Sequence, residues 1–160
     1  MELTKNLTEA FNKQIQAEMW SSNLYLAMAV YFMDKGLDGC VNWMKKQAAE
    51  ESEHAHKLIE YGVSRGGKIV IPAIDKVPTT WESPLAVFEH VYNHECLVSQ
   101  MVDALIDVAI LEKDKATQHF LQWYVEEQVE EESVAKGILD KFAVFGVHGL
   151  YCVNKELGKR

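Results

Sequence analysis

The 160-residue sequence predicts an all-α protein, a four-helix bundle with a long crossover between its second and third helices and a short fifth helix at the C-terminal end. Three observations predict it. Four segments carry apolar residues in alternating steps of four and three, the spacing that turns one helical face toward a core. Each of these stripes is interrupted near its middle by a carboxylate or an amide. All three prolines, Pro72, Pro78 and Pro84, fall between the second segment and the third, so no helix interior is broken.

The first helix is expected from about Thr4 to Lys35, where Gly36 and Gly39 end the pattern, with the stripe Phe11, Ile15, Glu18, Ser22, Tyr25, Ala29, Phe32. Tyr25 lies two turns beyond Glu18 on the same face, within reach of a ligand carboxylate or a metal-bound water. The short Leu37-Asp38 connection makes the second helix an antiparallel neighbour, with Asp38 as its N-cap and Gly66-Gly67 as its stop after Arg65. Its stripe is Met44, Ala48, Glu51, Ala55, Leu58, Gly62.

From Lys68 to Ser83 the character changes, opening with the extended-looking Ile69-Val70-Ile71-Pro72. This connection is long enough to travel the length of the bundle, which lets the third helix start at the other end. That helix opens with Ser83 as N-cap and Pro84 in the first position, and carries Phe88, Tyr92, Glu95, Ser99, Val102, Ile106, Ala109. The charged turn Glu112-Lys113-Asp114-Lys115 leads into the fourth helix, capped by Asp114. Its stripe is Leu121, Tyr124, Gln128, Glu131, Ala135, Ile138, Phe142, Phe145. After Gly146 and Gly149, Leu150 to Leu157 is expected to form the fifth helix, with a packing or subunit-contact role. Residues 1–160 read as one domain, with the bundle over about 4–145 and the short helix over about 150–157.

Composition narrows the function. A formal net charge of -8, with no Lys/Arg-rich tail, excludes nucleic-acid binding by phosphate neutralisation. The start Met1-Glu2-Leu3-Thr4-Lys5 lacks the pattern of a secretory signal, and no apolar run is long enough for a bilayer. The cytoplasm is the expected location, with no membrane partner. Cys40, Cys96 and Cys152 are widely spaced and lack a CxxC pair, which points to neither a disulfide framework nor a thiolate zinc site.

The interruptions carry the chemistry. Glu51 and His54 are three apart and project from neighbouring positions on one helical face, a metal-ligand spacing. Glu51 has small or apolar residues on both sides of its stripe, so it points into the core, where an unpaired carboxylate needs a cation or gives up its charge. Mid-helix positions stay level whichever way a helix runs. A bundle therefore places Glu18, Glu51, His54, Glu95, Gln128 and Glu131 on one level of its core. Carboxylate oxygens with one imidazole suit Fe(II) or Mn(II), whereas Zn recruits more nitrogen or sulfur. Glu51 is the natural bridge between two ions. His56, His90, His94, His119 and His148 are expected to be solvent or packing residues off the carboxylate level, and Trp123 and Tyr124 core aromatics. Trp123 or Tyr25 is a secondary candidate as an electron donor.

Four motifs then carry a resemblance over nearly the whole chain: Gln16-Ala17-Glu18-Met19-Trp20-Ser21-Ser22, Glu50-Glu51-Ser52-Glu53-His54, Tyr92-Asn93-His94-Glu95, and Phe120 through Glu131. The sequence resembles the bacterial non-haem ferritins. The resemblance implies that Glu18, Glu51 and His54 hold one iron, that Glu51 and Glu95 hold a second with Gln128 close by, and that Tyr25 supports them. It also implies a third, weaker iron site from Glu50, Glu127, Glu130 and Glu131. That site is physically reasonable, because Glu127, Glu130 and Glu131 are spaced i, i+3, i+4 and a cation relieves their repulsion.

Two departures matter. Bacterioferritins repeat Glu-x-x-His, but here the second copy is Gln128-Val129-Glu130-Glu131, so one iron should be held less tightly. They also place a haem-ligating methionine where this chain has Ser52, so no haem is expected. The function implied is iron storage and detoxification, by a ferroxidase that oxidises Fe(II) with O2 or H2O2 and deposits ferric mineral in a homo-oligomeric 24-subunit shell. The rival is a small di-iron oxidase or peroxidase resembling rubrerythrin, which normally adds a Cys-x-x-Cys domain absent here. A DNA-protecting mini-ferritin or a purely structural bundle fits the intact core site less well.

Overall fold

Three of the four long helices begin at a side chain that satisfies a free backbone donor. In the computed structural model, which describes residues 2–159, the elements are α1 (Lys5–Asp34), α2 (Asp38–Ser64), α3 (Pro84–Leu111), α4 (Lys115–Phe145), a 3-10 turn (Gly146–His148) and α5 (Gly149–Leu157). Thr4 Oγ1 accepts from the Leu7 N–H at 3.2 Å, Ser83 Oγ from Ala86 at 3.1 Å, and Asp114 Oδ1 from Thr117 at 3.0 Å. The expectation for Asp38 is corrected. Asp38 is the first residue of α2, Leu37 occupies the cap position, and no side-chain cap bond forms. Its carboxylate in the first turn still faces the positive end of the helix.

The crossover sets the topology. Leu3 N–H donates to Arg65 O at 2.8 Å and Ser22 Oγ to Ala48 O at 2.7 Å, so α1 and α2 run antiparallel. The chain then travels back beside α1. Asn12 holds both Lys68 O and the Val70 N–H, Gln16 donates to Ala73 O, and Trp81 meets the Tyr31 ring edge-on at 5.5 Å. The stretch from Ile69 to Pro72 forms no strand. α3 consequently starts at the end where α1 finishes, with Phe88 packed 5.6 Å from Phe32, 5.9 Å from Trp43 and 5.7 Å from Phe142. α2 and α3 are parallel to each other, and both oppose α1 and α4. Among the described residues no helix is long and apolar enough to cross a membrane.

The core is divided. One apolar cluster, with Leu24, Met28, Phe32, Trp43, Phe88 and Ile138, fills the end nearest α5. The other, with Leu7, Phe11, Ile15, Leu58, Leu105 and Leu121, fills the opposite end. Between them lies a buried polar layer built from all four helices: Gln14, Glu18, Gln47, Glu51, His54, Glu95, Gln128 and Glu131.

α5 closes one end. Asn154 Oδ1 accepts from the Cys40 N–H at 3.0 Å, and Asn42 Nδ2 donates to Leu157 O at 3.1 Å. The approach is so close that a Cβ on Gly39 would sit 1.7 Å from Asn154 O. Burial pushes the Cys40 thiol up to about 12, and Cys40, Cys96 and Cys152 are all free thiols. One stripe residue departs from expectation: Phe145, the last residue of α4, is 47% exposed, one turn beyond Phe142, which packs on Phe88 and against Gly149 of α5.

Candidate metal centre

The polar layer costs stability, and its side chains are arranged to recover part of that cost. Glu18, Glu51 and His54 are only 1%, 2% and 5% exposed, and Glu95 is fully buried. Both Glu95 oxygens are engaged: Tyr25 OH donates to Oε1, and Gln128 Nε2 donates to Oε2 at 3.2 Å. On Glu18, Gln14 Nε2 donates to Oε1 at 2.7 Å. The other Glu18 oxygen, Oε2, and Glu51 Oε2 are buried without any hydrogen-bond partner.

These two oxygens converge on one imidazole. His54 Nδ1 lies 3.4 Å from Glu51 Oε2 and 3.9 Å from Glu18 Oε2. One ligand atom from each of the three residues falls within 4.8 Å of the others. Two carboxylates and an imidazole are a donor set for a divalent first-row metal, and the partnerless oxygens are the atoms such an ion would satisfy. Protons take up the same charge in its place. Burial, and then the Glu51 carboxylate, push Glu18 well above the usual carboxylate range; burial, and then the Glu95 charge, push Glu51 up likewise, with Glu18 opposing. Glu95 is raised too, by burial, with the Tyr25 and Gln128 hydrogen bonds opposing. Burial and the Glu95 charge raise Tyr25, so its hydroxyl stays protonated and stays a donor.

Around this centre the predicted residues separate. Glu127 Oε1 reaches within 3.8 Å of His54 Nε2 from a half-buried position. Glu131 is buried and accepts from Gln47 Nε2 at 2.8 Å. Glu50 is half-buried, and its charge helps to raise Glu51. Glu130 is exposed and lies outside the buried layer. Trp123 stands edge-on to His54 with ring centroids 5.3 Å apart, and Tyr124 OH donates to His54 O at 2.8 Å.

Of the remaining histidines, His56, His119 and His148 are exposed, and His90 is half-buried against Trp81. His94 needs a correction, since it is buried beside the carboxylate level, 2.8 Å from Ser21 Oγ and packed on Trp20. Its packing role stands. Its position follows from adjacency to Glu95, since a helix buried on two sides buries neighbouring residues as well. Two buried amides, Gln14 and Gln47, donate to buried glutamates of the layer and were not revealed by the stripes. The available signal was spacing, because each precedes a buried glutamate of its own helix by four residues.

The sequence profile described as Ferritin-like domain matches residues 8–144, from the first turn of α1 to the last of α4. The chain belongs to the ferritin family. It is 52% identical over 158 residues to a bacterial non-heme ferritin of Bacteroides fragilis, covering 99% of each chain. To that of Campylobacter jejuni it is 37% identical over 157 residues, covering 97% of this chain and 94% of the relative. The fold superimposes with a TM-score of 0.96 on a structure described as a novel open pore ferritin from the hyperthermophilic archaeon Archaeoglobus fulgidus, at 46% identity and covering 99% and 98% of the two chains. In this ferritin all the residues of the polar layer, from Gln14 to Glu131, lie within the matched span.

Proposed function

We propose that this ferritin stores iron by oxidising Fe(II) inside the bundle and depositing ferric mineral in the cavity of a homo-oligomeric, 24-subunit shell in the cytoplasm. The whole chain, 1–160, acts as one ferritin-like domain. The observation that carries this reading is the pair of partnerless oxygens, Glu18 Oε2 and Glu51 Oε2, facing His54 Nδ1 in the middle of a four-helix core.

Iron is the substrate, and each Fe(II) supplies one electron to O2 or H2O2. Glu18, Glu51 and His54 hold one Fe(II). Glu51 is shared with a second held by Glu95, with Gln128 beside it. Because Glu95 already accepts from Tyr25 and Gln128, the second ion must displace or share hydrogen bonds that the first does not meet. Glu18, Glu51 and Glu95 release protons as Fe(II) arrives, which favours binding as pH rises. Tyr25 keeps its proton and holds Glu95 in place. A third and weaker iron site draws on Glu50, Glu127, Glu130 and Glu131, with the exposed Glu130 at its outer side. Glu127 connects this outer group to the centre through its proximity to His54.

Rapid mixing of metal-free protein with Fe(II) and O2 tests the assignment. In Glu51→Ala and His54→Ala the initial rate of ferric formation should fall by roughly tenfold or more, the range for altering a metal site. Circular dichroism and assembly size should not change. Unchanged initial rates in both variants contradict the site.

A further inference from the structure

Gln14, like Gln47, is a residue of the polar layer for which neither the stripes nor the ferroxidase reading supplies a role. It is 2% exposed, sits one turn before Glu18 on α1, and donates to Glu18 Oε1 at 2.7 Å. The consequence for Glu18 is asymmetric. One of its oxygens is occupied by a fixed amide donor, while the other faces His54 Nδ1 at 3.9 Å and has no partner. A carboxylate with both oxygens free can turn about its last torsion and chelate an ion with two atoms. With Oε1 held, Glu18 offers one atom in one direction. The amide is a neutral donor that does not titrate, so this restriction persists at every pH at which the bundle is folded.

Resting on the metal-centre reading above, we propose that Gln14 is a positioning residue: it restricts Glu18 to ligation through Oε2 and aims that oxygen at the ion shared with Glu51 and His54. Hydrogen bonds to ligating carboxylates fix ligand orientation, and losing one typically lowers metal affinity by roughly 10-fold to 100-fold. Glu95 is oriented in the same manner by Tyr25 and Gln128, and Glu131 by Gln47. Glu18 is distinctive because its holder leaves one oxygen with no partner.

Anaerobic titration of the assembled, metal-free protein with Co(II) provides the test, because the visible bands of Co(II) report coordination number and geometry as well as occupancy. Gln14→Met keeps the side-chain length and removes the donor. It should weaken the tightest Co(II) site by roughly 10-fold or more, and alter its band shape as Glu18 becomes free to bind through both oxygens. In a Glu18→Gln background Gln14→Met should have no further effect on either readout, since Gln14 acts only through Glu18. Gln14→Asn keeps an amide in the core but withdraws it by one methylene, and should reproduce the change; it carries the test if Gln14→Met does not assemble. Wild-type affinity and band shape in these variants, with His54→Ala still abolishing the tight site, overturn the positioning role and leave the metal centre standing. Unaltered Co(II) binding in His54→Ala overturns both.

Discussion

Replacing Glu51 by Gln should stabilise the metal-free protein and remove most of its response to metal. Glu51 Oε2 is buried without a geometric hydrogen-bond partner, and burial, then the Glu95 charge, push the group well above its ordinary value of 4.5, with Glu18 opposing. A raised carboxyl means that the folded state holds a proton the unfolded chain has released. Its stabilising contribution is complete below the unfolded value and declines as pH rises toward the folded one. Through that window the wild type should lose about 1.4 kcal/mol per pH unit relative to Glu51→Gln. For a chain of this size each such pH unit corresponds to a difference of about 3–6 °C in Tm.

Metal reverses the order. Anaerobic Fe(II) at about 100 times its dissociation constant adds about 2.7 kcal/mol to a protein that binds it only when folded. The wild type should gain that increment and Glu51→Gln only a small part of it. Urea unfolding followed by circular dichroism, at several pH values with and without Fe(II), measures both effects. A wild-type-minus-variant difference that is flat with pH, together with equal Fe(II) increments in the two proteins, refutes the reasoning.

Other perturbations test separate parts of the structure. Gly39→Ala places a methyl 1.7 Å from Asn154 O and should displace α5, exposing Val153 and Leu157 at a cost of about 3 kcal/mol or more. Hydrogen exchange should accelerate first in residues 149–157, and unchanged exchange there refutes the docking role of Gly39. His94 is lowered to about 4 by burial, with the His90 charge adding, so it is held neutral in the fold. Its contribution is present above its ordinary 6.5 and is lost as pH falls from there toward 4, by up to about 3 kcal/mol. His94→Gln should therefore flatten the acid limb of the stability curve, and identical limbs in the two proteins contradict it. If Trp123, edge-on to His54, or Tyr25 donates an electron during oxidation, Trp123→Phe and Tyr25→Phe should change single-turnover kinetics and the radical signal. No change in either removes that hypothesis.

The fold was legible because each helix carries one dominant stripe and the prolines gather in one connection. The same simplicity made Glu18, Glu51, Glu95, Gln128 and Glu131 visible, since a polar residue is conspicuous only on a face otherwise apolar. Gln14 and Gln47 were hidden for the converse reason. A buried face spans more than one row of side chains, and each of these amides lies in the row beside the stripe, among residues that look polar and exposed in the sequence. His94 escaped in the same way, by adjacency to Glu95. Asp38 misled because an aspartate at a helix start satisfies cap and first-turn preferences equally, and only backbone geometry separates them. Phe145 misled because periodicity continues to the end of α4, whereas the packing is made one turn earlier, at Phe142.

Iron loading separates a storage shell from a small di-iron oligomer. Metal-free protein supplied aerobically with excess Fe(II) is passed through gel filtration, and protein and iron are measured across the same elution. In a storage shell, iron far beyond what the carboxylate sites can hold should travel with a large assembly. A small oligomer carrying only about two irons per chain, the capacity of a di-iron bundle alone, would contradict storage.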